Sequence, residues 1–313
     1  MSHFSVAIIT EGKPTEGRIA KALAPYQENN EGDCPKEYVE FYSTTQERKE
    51  EYETSTIHRV KLANGTLVSP YDSILYDEVT KEEYEKAIEE GKRDQYSFAD
   101  KYRRKKDLAK IGAIEVEIPC KELYPTFEDF MKDWCEEKKD EETNDYGYWE
   151  NPNAKWDWWQ VGGRFSGILK VANECAAGHY IKANSARIKD CVFPDYQEKY
   201  DRAIRFWELK VEEQPPVTPS DEEIIDDFYF RFSRTSYFTD KYKSKEEYAE
   251  ATALFHTYAI IDKSGKWISL GRMGWFGVSL DDENELEYIR NYRKNVFDNA
   301  GDNDYITIVD CHI

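Results

Sequence analysis

Three of the chain's 8 tryptophans, Trp156, Trp158 and Trp159, fall almost together, and Gly162 and Gly163 follow at once. Indoles carry a large apolar area that a fold has to cover. Adjacent glycines accept the positive φ values of a tight two-residue turn. The spacing predicts a β-hairpin reversing at Gly162-Gly163, with Val161 opposite Arg164 and Trp159 opposite Ser166. Alternation then puts Trp156, Trp158, Phe165 and Leu169 on the core face, where Gly167 leaves room for the Trp158 indole. Asp157, Trp159, Arg164 and Ser166 share the other face.

Two readings of that second face stand open. Asp157 and Arg164 pair with each other under Trp159, or the set binds a polar or anionic group through the planar donor fork of the guanidinium. A second Gly/Trp/Arg segment, Trp267 to Gly277, contains Arg272. It is read either as packing against the tryptophan segment or as the other wall of a shared pocket. The candidate ligand-binding set is therefore Asp157, Trp159, Arg164, Ser166 and Arg272. Gly162-Gly163 is not a phosphate loop, because the glycine spacing, the lysine and the following helix are missing.

The flanking sequence supplies the frame. Residues 4–10 read as a buried strand, and Thr15 as the cap of a helix over 15–24. A strand is expected at 36–43, and Asn64-Gly65 signals a hairpin between 57–62 and 66–68. Capping boxes are read at Thr80/Glu83, Ser220/Glu223 and Ser244/Glu247, with Thr126/Asp129 a variant. Phe127, Phe130, Met131 and Trp134 fall on one helical face. Arg103 to Lys106 are read as the end of a helix. Towards the end come a strand over 254–261, a turn at 262–265, a return strand at 267–270, a helix over 285–297 and a strand at 305–310.

Strict βαβ alternation is absent, so the expected class is α+β. The expected sheet is mixed or antiparallel, contains both the first and the last strand, and is flanked by helices. One α+β unit with an internal subdivision is expected: an N-terminal part over 1–135, a mobile acidic loop at 136–147 and a Trp/Gly part over 148–313. Residues 214–219 hold three prolines and read as a linker or as the loop ahead of a helix.

His3 and His312 flank the first and last strands. Antiparallel pairing of those strands would bring His3, Asp310 and His312 together as an acid/base group, and parallel pairing would separate them. These are the candidate catalytic residues. His256 is read as a hydrogen-bonded structural residue. None of the 5 histidines shows a metal-ligand spacing, so no metal and no cofactor are expected. Nucleophile-elbow, Walker, dinucleotide and kinase motifs are also missing. Cys311 beside His312 is no dyad, since neighbouring strand residues point to opposite faces.

Charge narrows the partners. With 43 basic and 63 acidic residues the net charge is −20, which repels nucleic acid and anionic membrane at long range. No apolar run reaches the length of a membrane span, and the start lacks the basic region of a secretory signal. The 6 cysteines are scattered without a CxxC pair, which suits free thiols in a reducing compartment.

Three segments together resemble a family of phage and prophage-encoded proteins with no assigned activity. They are Met1-Ser2-His3-Phe4-Ser5-Val6, the stretch Asn151-Pro152-Asn153-Ala154-Lys155-Trp156-Asp157-Trp158 with Gly162-Gly163-Arg164, and Asp310-Cys311-His312-Ile313. The resemblance implies a mobile-element origin and expression in a bacterial cytoplasm. By analogy with accessory phage proteins, it implies a factor that binds and inhibits a host protein, such as a defence effector, by covering a basic nucleic-acid-binding surface. The alternative is an enzyme or a binder of a small polar or anionic ligand, built on the His/Arg/Asp pocket around the tryptophan segment. A structural role as a homo-oligomer is the third expectation.

Overall fold

The first strand, His3–Glu11, has two apolar faces, and that decides where it lies. Val6, Ala7 and Ile8 are wholly buried, each isoleucine or valine contributing about 2 kcal/mol of transfer free energy. The strand is flanked on both sides. It pairs antiparallel with the last strand, Asp304–His312, along its whole length, from His3 opposite His312 to Glu11 opposite Asp304. On its other edge it pairs in parallel with Ala259–Ile261, which is followed by the antiparallel strand Trp267–Ser269. The last strand also carries Ser185–Arg187 and Trp158–Val161 on its outer edge. The result is a six-stranded mixed sheet with the first and last strands adjacent at its centre. The fold is α+β.

The computed structural model describes residues 3–96, 102–172, 179–273, 279–280 and 285–313. Helices cover both faces of the sheet. On one, Ala7, Ile9, Ile306 and Ile308 join the core built by helices Tyr196–Lys210, Lys245–Ala253 and Glu285–Tyr292. On the other, Phe4, Val6, Ile8, Val309 and Cys311 meet Ile19 and Leu23 of helix Glu16–Leu23. Those two residues stand one helical turn apart, and the Thr15 hydroxyl caps the helix by accepting the Arg18 N–H. Trp156 closes the end of this core, donating its indole N–H to the Leu23 carbonyl oxygen at 3.0 Å. The Asn151 side chain donates to the carbonyls of Pro25 and Gln27 at 3.0 and 2.9 Å. The Asn-Pro-Asn-Ala-Lys-Trp run is thus a brace on the chain leaving this helix.

The chain divides into two units, residues 1–40 with 149–313, and residues 41–148. This corrects the expected division into 1–135 and 148–313. Residues 1–40 cannot stand apart from the second half because their strand lies inside its sheet. The 41–148 unit has its own three-stranded antiparallel sheet, in which Thr56–Lys61 pairs with Leu67–Val68 and Ile114–Pro119. Asn64-Gly65 makes the predicted turn. The 127–134 face buries Phe130 and Met131, but Trp134 stays exposed with the Arg59 guanidinium over its ring.

Four local readings are corrected. Arg103–Lys105 is a strand paired with Tyr76–Glu78, not a helix end. Only Glu40–Ser43 and Ala259–Ile261 are strands within their longer expected runs. The helix after the prolines is capped by Thr218, with Pro219 in its first turn and Asp221 completing the box, so Ser220 lies inside it. Residues 214–219 join two helices of one unit and are the loop of the two expected alternatives. The paired glycines do not make a hairpin, because the Trp158–Val161 strand pairs with the last strand instead. Among the described residues, five cysteines are free and no helix is long and apolar enough to cross a membrane.

Candidate functional site

One face of the central sheet changes character at its end. Moving along it from Ile9 and Ala7, or from Ile306 and Ile308, the next side chains are Ser5 and His3 on one strand and Asp310 and His312 on the other. The antiparallel register sets His3 opposite His312 and Ser5 opposite Asp310. The strand Trp158–Val161 adds Trp158 beside His312 and Gln160 beside Asp310. Period-two alternation therefore gathers six polar or aromatic side chains on one patch.

Asp310 is the centre of it. Its side chain is 2% exposed, and burial of a carboxylate costs several kcal/mol unless its oxygens are bonded. Both are. One oxygen meets His3 Nδ1 at 2.9 Å, and the other accepts the backbone N–H of Arg164 at 2.9 Å. A second couple repeats the first: His312 Nδ1 meets Asp157 Oδ1 at 2.6 Å. The two imidazole rings stand edge to face with centroids 5.0 Å apart. A carboxylate on Nδ1 fixes the tautomer with the proton there and leaves Nε2 as the basic nitrogen. Among the described residues, nothing hydrogen-bonds to either Nε2.

The turn after Val161 completes the cleft. Gly162 has φ +74 and Gly163 φ +48, and a short 3-10 turn over Gly163–Phe165 follows. It is stapled to the last strand by the Gly162 N–H on the Ile308 carbonyl oxygen at 2.9 Å. A Cβ on Gly162 would fall on the Asn184 amide, and one on Gly163 would sit on the Asp310 side chain. Asn184 holds the far end, its Oδ1 accepting from the Gly167 N–H at 2.7 Å and from the Ser166 hydroxyl at 3.1 Å. The cleft has a volume of about 580 Å³ and is lined by His3, Trp158, Gln160, Arg164, Ser166 and Asn184, among others. That size lies in the range of small-ligand sites.

Several expected placements are corrected. The ladder pairs Val161 with Arg164 and Trp159 with Ser166 do not form, because the 158–161 strand pairs with the last strand instead. Trp158 and Trp159 exchange roles: Trp159 packs on the core with Val161, and Trp158 is half exposed in the cleft beside His3. The alternation breaks at Asp157, where the chain bends before the strand begins. Asp157 pairs with His312 and not with Arg164. The Arg164 side chain is exposed, and among the described residues no carboxylate meets it. Arg272 begins a two-residue strand, but its side chain lies outside the described set, as do Gly274, Trp275, Phe276 and Gly277. Trp267 packs on the same core as Trp156.

The structure thus brings His3, Asp310 and Arg164 to one cleft, with Ser166 on its wall and the His312–Asp157 couple beside it. Trp158, Gln160 and Asn184 escape sequence reading. Asn184 had no local signal, since only the closing of the chain sets it against the turn. Cys311 points into the opposite core, where burial pushes its thiol far above the ordinary range. Among the described residues, no three His, Cys, Asp or Glu side chains converge as metal ligands. Compared with protein-family models, with curated proteins and with solved structures, the chain matches none.

Proposed function

We propose that the protein binds a small anionic ligand in the His3/Arg164 cleft and moves protons on it. The observation that carries this is the buried Asp310, which grips His3 Nδ1 with one oxygen and is itself fixed by the Arg164 backbone. Such a carboxylate orients an imidazole for acid–base work. Arg164 supplies a guanidinium with no carboxylate partner among the described residues, ready for a carboxylate or phosphate. The net charge of −20 keeps large polyanions away and leaves small ones, whose single contact outweighs the diffuse field.

Titration with inorganic phosphate, read on the imidazole Cε1–H resonances, tests the reading. The His3 resonance is expected to move on phosphate addition, and Arg164→Ala to weaken the apparent affinity about tenfold, near 1.4 kcal/mol. Resonances that ignore phosphate in the wild type would remove the proposal.

A second reading, docking on a host protein, has its own support. Phe228 and Phe232 are 75% and 71% exposed with rings 4.5 Å apart, next to Asp226 and Asp227. Asp226 is paired with Arg231, and the exposed aromatic pair itself suits a partner surface. The mobile-element origin implied by the family resemblance agrees with this reading. Binding of a purified basic partner that Phe228→Ala with Phe232→Ala abolishes, at unchanged melting temperature, is its expected result.

A further inference from the structure

We propose that the cleft's substrate is a short phosphodiester carrying a hydroxyl next to the ester, as a ribodinucleotide does, and that the reaction is intramolecular transesterification. The inference rests on the anion-binding reading of the His3/Arg164 cleft.

Among the described residues, the cleft holds no activated hydroxyl or thiol. Its one hydroxyl side chain, Ser166, is committed to Asn184, and no imidazole reaches it among the described residues. Cys311, next to Asp310 in sequence, is on the opposite face of the sheet, where burial raises its thiol far above the ordinary range. A substrate that brings its own nucleophile needs neither. What the cleft does hold is the His3 imidazole, and the His312 imidazole stands beside it; each is fixed at Nδ1 by a carboxylate, and the rings are 5.0 Å apart. One base and one acid are the two groups that attack by an internal hydroxyl requires.

The step balances without a further reactant. The neutral imidazole takes the proton of the substrate hydroxyl at Nε2 as that oxygen bonds to phosphorus. The P–O bond to the leaving alcohol breaks, and the protonated imidazole gives its Nε2 proton to the departing oxygen. The products are a cyclic phosphodiester and an alcohol, and proton exchange with water resets the pair. Arg164 faces the charge that grows on the non-bridging oxygens. Trp158, 47% exposed and edge to face with His3, offers a ring for a base to stack on. The charge of −20 selects against long strands and for short ones.

The probes are a ribodinucleoside monophosphate and its 2′-deoxy counterpart, followed by ³¹P NMR and chromatography over a pH series. The ribo compound is expected to yield a 2′,3′-cyclic phosphate with a bell-shaped pH–rate profile. The deoxy compound is expected to bind and stay intact. His3→Asn and His312→Asn should each slow cleavage by about 10²–10⁴-fold. Arg164→Ala, which keeps the backbone N–H bond to Asp310 and removes only an exposed side chain, guards against loss through misfolding and should slow it too. Cleavage of the deoxy compound at a similar rate, or a rate unmoved by all three variants, overturns the proposal. No cleavage, with phosphate still moving the His3 resonance in an Arg164-dependent way, overturns the substrate class and leaves the cleft reading standing. Silence in both assays removes both.

Discussion

Gly163 and Asp310 are fitted to each other. A Cβ built on Gly163 would lie 2.5 Å from the Asp310 Cβ, and the glycine φ is +48. The turn can therefore close on the carboxylate only because no side chain stands there. Asp310 in turn holds the turn through the Arg164 N–H. Backbone, carboxylate and imidazole form one chain of contacts, and each prediction about the site follows from cutting it.

Gly163→Ala cuts it at the backbone. The Asp310 Cβ belongs to a strand and cannot swing aside as the tip of a flexible side chain would. A loss of about 1–3 kcal/mol in unfolding free energy is expected from the strained φ and the collision. Urea denaturation measures the loss. The His3 and Arg164 amide resonances should move, while those of the 41–148 unit should not.

Asp310→Asn cuts it at the carboxylate while keeping the shape. An amide that turns its NH₂ to His3 Nδ1 makes that nitrogen an acceptor and moves the ring proton to Nε2, the wrong place for a base. Nitrogen-15 shifts of the imidazole should report the change of tautomer. Any proton-transfer activity should fall by about 10²–10⁴-fold with little change in melting temperature.

His256 gives the pH dependence of stability. Burial holds its imidazole below the ordinary range, the Leu254 carbonyl oxygen at 2.9 Å works against that, and Lys199 adds to it. A folded-state value below the unfolded one means that the unfolded chain binds the proton first. The contribution to stability is complete above about pH 6.5 and is lost as pH falls below it, at no more than about 1.4 kcal/mol per pH unit. His256→Asn should flatten this part of a plot of urea midpoint against pH.

The thiols supply a test independent of the site. Burial raises Cys34, Cys120 and Cys135, pushes Cys191 up to about 12, and takes Cys311 higher still. Thiolate is the reactive species, so these five should resist a disulfide reagent at neutral pH and react together once urea unfolds the chain. Mass mapping of the labelled peptides distinguishes this from early labelling of one cysteine.

What the sequence made legible was whatever had a local cause. The first and last strands are continuous apolar runs, and Thr15, Thr80, Thr126 and Ser244 cap helices through hydroxyls that are visible in the chain. The meeting of His3 with His312 could be posed as a choice between two strand directions, and the register answers it. What stayed hidden had a distant cause. Trp158 and Trp159 look equivalent until the bend at Asp157 sets which one faces the core. The partner of Asp157 could not be read because His312 reaches it only through the pairing of the 158–161 strand. Asn184, held between turn and strand, is invisible for the same reason.

The His3–Asp310 bond spans 307 positions, so one half of the centre is made long before the other. In the interval between them the His3–Glu11 strand waits with an open edge and two greasy faces, the state most given to wrong pairings. Its parallel neighbour, Ala259–Ile261, arrives almost as late. Holdase chaperones should therefore be found on nascent chains of this protein until the Asp304–His312 strand has emerged. An abortive product that stops short of the final strand keeps the adhesive edge and has no centre at all.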